Sequence, residues 1–166
     1  MAAGNWTIYN KFKLALGNKA ENLGSDTFKM ALFASTSNVG SASLSPATYA
    51  GATNELSTAN GYTAGGVTLT SVSWTDASGT ETFTCANPSW TASGGTITAR
   101  FAVIYNSTSG DLVCYCLLDS TPADVSVTTG NTLTIQINAT GVRNGRWRSY
   151  RPFTQQQSRR ATGAFM

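Results

Sequence analysis

The spacing of apolar residues changes character along the chain. In WTIYNKFKLALGN, Trp6, Tyr9, Lys13 and Leu16 recur at steps of three or four, and Ile8, Phe12 and Leu16 form a parallel apolar row. This predicts a short amphipathic helix at about residues 6–17, ended by Gly17 and Asn18. In TFKMALFAS the period drops to two, with Phe28, Met30, Leu32 and Ala34 alternating with Thr27, Lys29, Ala31 and Phe33, so a strand buried on at least one face is expected. Residues 35–52 lose all periodicity and read as a loop, with room for one helical turn beginning at Ser45. Two further strands follow, separated by Asn60-Gly61 and Gly65-Gly66, pairs that tolerate the positive φ of tight turns. The apolar pattern slips by one residue between Val67, Leu69, Ser71 and the pair Val72, Trp74, which predicts a bulge or bend near Ser71.

Strand character is clearest in the second half. ETFTCANPSWTAS, GTITARFAVIYNST, GDLVCYCLLDS and NTLTIQINA are each bounded by Gly, Pro, Asn or Asp. Ile97, Ala99, Phe101, Val103 and Tyr105 share one face of the second of these, and Ala102 and Ile104 are apolar on the other. Such a strand is expected to be central and covered on both sides. Asn106 to Gly110 reads as the turn of a hairpin leading into Val113, Tyr115 and Leu117, while Leu133, Ile135 and Ile137 alternate with polar residues, as on a half-wet strand. The expected fold is mainly β: an antiparallel, jelly-roll-like β-sandwich with a short N-terminal helix.

Beyond Ala139 the periodicity stops, and charge redraws the picture. Residues 1–140 carry five cations against eight acids, whereas residues 141–166 carry six arginines and no acid. Arg143, Arg146, Arg148, Arg151, Arg159 and Arg160 are interleaved with Trp147, Tyr150, Phe153 and Phe165. A body over residues 1–141 and a basic, aromatic arm over residues 142–166 are therefore expected, the arm extended and ordering on a partner. Rings that fill pockets and guanidinium forks that grip carboxylates make good interface anchors. The same mixture binds nucleic acid, but the body offers no basic surface to continue such a track, so a protein partner is the better reading.

The 166 residues suffice for one domain, and only 11% are charged, against a typical 25% or so. There is no histidine, which removes Ser-His-Asp and Cys-His catalysis and every histidine-based metal site. No phosphate-cradling glycine motif is present, and Gly65-Gly66 without a following helix and lysine reads as a turn. Asp111, Asp119 and Asp124 are the nearest approach to a catalytic carboxylate pair, yet all sit beside turns. Trp74 and Trp90 could stack on sugars, though their place in strand patterns favours core packing. Cys85, Cys114 and Cys116 form no CxxC motif and are expected as free thiols acting as small hydrophobes. No cofactor, metal, signal peptide or membrane span is expected, and the chain reads as non-enzymatic.

Several segments also carry a resemblance. NKFKLALGNKAENLGSDTFKMALFAST, ATYAGATNELS, GYTAGGVTL, ARFAVIYNSTSGDLVCYCLLD and NATGVRNG resemble a group of small tailed-bacteriophage virion proteins, over about residues 5–145. The resemblance implies a capsid decoration (cement) protein that stabilises the shell through contacts with the major capsid protein or with copies of itself, as a homo-oligomer on the virion. Its alternative is a tail or fibre component with receptor or glycan binding. The arm after Gly145 departs from the family pattern.

Overall fold

The computed structural model describes residues 3–76, 81–137 and 141. Its elements, in chain order, are β1 (Thr7–Ile8), α1 (Asn10–Gly17), β2 (Phe28–Phe33), β3 (Val67–Thr68), β4 (Ser73–Asp76), β5 (Glu81–Thr84) and β6 (Ser89–Thr91), then β7 (Ile97–Ala99), β8 (Phe101–Asn106), β9 (Leu112–Leu117), β10 (Val125–Val127) and β11 (Thr132–Thr134). The protein is mainly β. Among the described residues β1, β9, β8, β2 and β3 form one sheet in that order, and β10–β7, β11–β6 and β4–β5 form two-stranded ribbons, with every pairing antiparallel.

The central sheet explains the doubly apolar strands. Register places Phe28, Met30 and Leu32 of β2 beside Ala102 and Ile104 of β8 and Cys114 and Cys116 of β9 on one face, with Ala31, Phe33, Val103 and Tyr115 on the other. Phe83 of β5 sets its ring edge-on against Phe28, with centroids 5.2 Å apart, on the first face. On the second face Tyr9 packs on Tyr115 at 5.3 Å, and the loop after β2 supplies the buried Val39. With both faces covered, Met30, Leu32, Phe33, Val103 and Ile104 are fully buried, each contributing about 1.5–3 kcal/mol relative to exposure. The hairpin expected at Asn106 to Gly110 joins β8 to β9, with Gly110 at φ 83°.

The N-terminal helix is shorter than the expected 6–17. Thr7 and Ile8 pair with Tyr115 and Cys114 of β9, and the Gly4 N–H donates to the Leu117 carbonyl at 2.9 Å. The sheet edge thus claims the backbone groups that a first helical turn would use, and Tyr9 keeps an extended ψ of 140°. Phe12 and Ala15 form the buried side of α1. Its C-terminus closes with Ala20 N–H on the Ala15 carbonyl and Lys19 N–H on the Leu16 carbonyl, a Schellman pattern in which Lys19, at φ 58°, occupies the left-handed position that glycine usually takes.

Three other expectations shift. The helical turn placed at Ser45 forms instead at Tyr49–Gly51, where the Thr48 hydroxyl accepts from Gly51 N–H, and a second turn forms at Asn38–Gly40. ETFTCANPSWTAS gives two strands rather than one, because Pro88 lacks the amide hydrogen a ladder needs. GTITARFAVIYNST also splits, at Arg100, whose N–H donates to the Phe33 carbonyl while its own carbonyl accepts from Leu118. Ile97 and Ala99 therefore belong to the β7–β10 ribbon, not to the sheet that holds Phe101, Val103 and Tyr105. The bend expected near Ser71 is present, with Ser71 at φ 51°.

Candidate interaction surface

The ten expected interface residues, Arg143, Arg146, Trp147, Arg148, Tyr150, Arg151, Phe153, Arg159, Arg160 and Phe165, lie outside the described residues. Gly141, just before them, is placed. A Cβ there would come within 2.4 Å of Thr82 Cγ2 and 2.5 Å of the Phe83 carbonyl oxygen, so the chain passes hard against β5, at a φ of 70° that already favours glycine.

The β4–β5 ribbon beside it has an unusual exposed face. Trp74 stands opposite Phe83, and Asp76 stands opposite Glu81. Directly opposed residues of an antiparallel pair project to the same side, as do residues two apart on a strand, so these four share a face. Phe83 is buried in the core, whereas Trp74 is 42% exposed and both acids are exposed. The sequence favoured a core position for both tryptophans. Trp90 takes one, tilted against Tyr62 at 6.2 Å, but Trp74 does not. The Trp90 indole N–H finds no acceptor among the described residues.

The carboxylates considered as a catalytic set are not brought together. Asp111 pairs with Lys11 at 2.6 Å, and Asp124 pairs with Arg100 at 2.7 Å. Asp119 accepts from the Thr121 N–H at 2.9 Å and hydroxyl at 2.7 Å, and these bonds hold its carboxyl below the usual range. All three cysteines are free. Burial pushes the Cys85 thiol up to about 11, that of Cys116 up to about 12 and that of Cys114 well above its ordinary value, so none offers the thiolate that nucleophilic or metal chemistry requires at neutral pH.

Two polar clusters escape any reading by motif. At the outer edge of β2 the Glu55 carboxylate accepts from the Tyr49 hydroxyl, from the Tyr62 hydroxyl at 2.6 Å and from Gly65 N–H at 2.6 Å. Tyr49 stacks on Tyr105 at 4.3 Å, and the Tyr105 hydroxyl donates to the Gly65 carbonyl at 2.8 Å. Burial, with the neighbouring Glu55 charge adding to it, raises the tyrosine pKa values and keeps these phenols as donors. At the β8–β9 turn the fully buried Asn106 amide donates to Glu21 and, at 2.7 Å, to Asp26, while Ser109 donates to Glu21 at 2.6 Å. The second cluster joins residues 80 or more positions apart, and the first ties the loop residues Tyr49, Glu55, Tyr62 and Gly65 to the distant Tyr105, so no sequence motif marks either.

A cleft of about 180 Å³ lies beside Tyr62, lined by Leu56, Asn60 and Thr96 to Thr98, which is below the roughly 300 Å³ at which small-molecule sites begin. Among the described residues no group of three or more histidines, cysteines or acids is gathered to hold a metal, and no helix is long and apolar enough to cross a membrane. No protein-family model, curated protein or solved structure matches the chain.

Proposed function

We propose that this chain is a structural attachment domain, a capsid decoration (cement) protein of a bacteriophage, which binds the assembled shell and stabilises it by protein–protein contacts. The observation that carries the reading is the segregation of charge. Six of the eight acids, Glu21, Asp26, Glu55, Asp111, Asp119 and Asp124, are engaged inside the body by hydrogen bonds or ion pairs. The arginines and rings after Gly141 meanwhile have no acid among them. A ring-bearing segment with six arginines, more than the two unengaged acids of its body can balance, is suited to a partner carrying carboxylates and pockets. The phage assignment rests on the resemblance over residues 5–145.

Within residues 142–166, the part from Arg151 onward reaches onto neighbouring capsid subunits or onto a second copy, and repetition on a symmetric shell raises avidity without new contacts. The ordering cost of such a segment is offset when several anchors engage together. Purified particles should carry the chain at many copies per shell. Deleting Arg146 to Met166 should reduce attachment while leaving the β circular dichroism spectrum intact, and unchanged attachment would reject the role of the arm. The half-exposed Trp74 indole favours keeping a second reading, a tail component that stacks on glycans. Silence on a glycan array, for the wild type and for Trp74→Ala alike, would remove it.

A further inference from the structure

All eight acids of the chain fall among the described residues. Asp76 and Glu81 are the two that no described side chain or backbone group engages, and they stand directly opposite each other. Like charges so placed repel, and no group among the described residues offsets this. On the same face, two positions along β4, lies the 42% exposed Trp74. The chain passes Gly141 against Thr82 and Phe83 of this same ribbon, and the next residues are Val142, Arg143, Asn144, Gly145, Arg146, Trp147 and Arg148.

We propose that residues 143–148 fold back onto the β4–β5 ribbon of their own chain, with guanidinium groups on the Asp76–Glu81 pair and on the Trp74 indole. Reach favours the same chain over a second copy. Phe83 and Glu81 are two residues apart on β5, about 7 Å, and the five residues from Gly141 to Arg146 span up to about 17 Å when extended. A tethered segment also meets its target at high effective concentration. The chemistry is complementary: planar guanidinium forks match carboxylates bidentately and lie flat on indole rings. A root held in this way fixes where Arg151 to Phe165 leave the body, which reduces what remains to be ordered on the partner. The docking draws its purpose from the attachment role proposed above, but it is a property of the isolated chain.

Amide hydrogen exchange on the full-length protein, at micromolar concentration and low ionic strength, provides the test. Amides of residues 143–148 should exchange at least tenfold more slowly than in an unstructured chain. That protection should vanish in 1 M salt, where screening acts within about 3 Å, and in the double variant Asp76→Asn/Glu81→Gln, and it should fall several-fold in Trp74→Ala. Amides of β8 should be unaffected and report that the body is folded. Should the double variant misfold, Arg143→Gln/Arg146→Gln/Arg148→Gln should give the same loss from the other side of the contact. Unprotected wild-type amides, protection that survives charge removal, or protection that grows with protein concentration would each overturn docking within one chain. Lost attachment on arm deletion together with an unprotected root sinks the docking alone, and a protected root with attachment unchanged sinks the attachment role alone.

Discussion

The outer edge of β2 and the β4–β5 ribbon both present carboxylates, and they treat them in opposite ways. Glu55 is surrounded by donors fixed by the fold, two phenols and a backbone N–H, with stacked rings shielding the cluster. Asp76 and Glu81 face each other beside a half-exposed indole, with no donor from the described body. An acid of the first kind holds a fold together, because removing it strands several donors at once. Acids of the second kind, with no partner among the described residues, hold no part of that body together and are exposed to a cation from elsewhere. This difference separates scaffold from surface in a chain without histidine, where titratable groups are few.

The sharpest way to break the comparison is to remove Glu55. Glu55→Ala leaves two hydroxyls and an amide N–H without their acceptor, and hydrogen bonds to a charged group are worth about 1.5–3 kcal/mol each. Urea unfolding should show a loss of about 3–5 kcal/mol, and a loss below 1 kcal/mol or so would mean that the cluster is ornamental. Gly66 tests the same edge through the backbone. At φ 67°, a Cβ there would lie 1.9 Å from the Met30 carbonyl oxygen, so Gly66→Ala should cost about 3 kcal/mol from left-handed strain and overpacking.

Effects should shrink and change sign away from the sheet. Lys19→Gly, at the left-handed end of α1, should stabilise by about 0.5–1 kcal/mol, visible as a raised melting temperature. On the ribbon Trp74→Thr should leave unfolding stability within about 0.5 kcal/mol, as for a surface position with little packing. A larger loss would place Trp74 with the core and erase the contrast.

What the sequence disclosed and what it concealed follow the same division. The Asn106 to Gly110 hairpin and the bend at Ser71 were legible, because each depends on neighbours within a few residues, and Leu133 and Ile135 are buried in alternation as expected although the strand itself ends at Thr134, short of Ile135 and Ile137. The short strand Val125–Val127 went unread, since three residues give too little period to detect. Periodicity located Trp74 on a strand correctly but could not say whether anything lay over it. Likewise, Glu21 and Asn106 are 85 positions apart, and only the folded chain reveals that they meet. The arginine and aromatic composition after Gly141 was legible in the sequence, whereas the Asp76–Glu81 pair stood out only when the other six acids proved engaged.

Binding of the full-length chain and of a chain lacking Arg146 to Met166 to assembled capsid shells, followed by co-sedimentation, tests the attachment role most directly. Attachment through the arm predicts stoichiometric binding of the intact chain and at least a tenfold weaker association of the truncated one, with both equally folded. Equal binding by the two, or none by either, would contradict it.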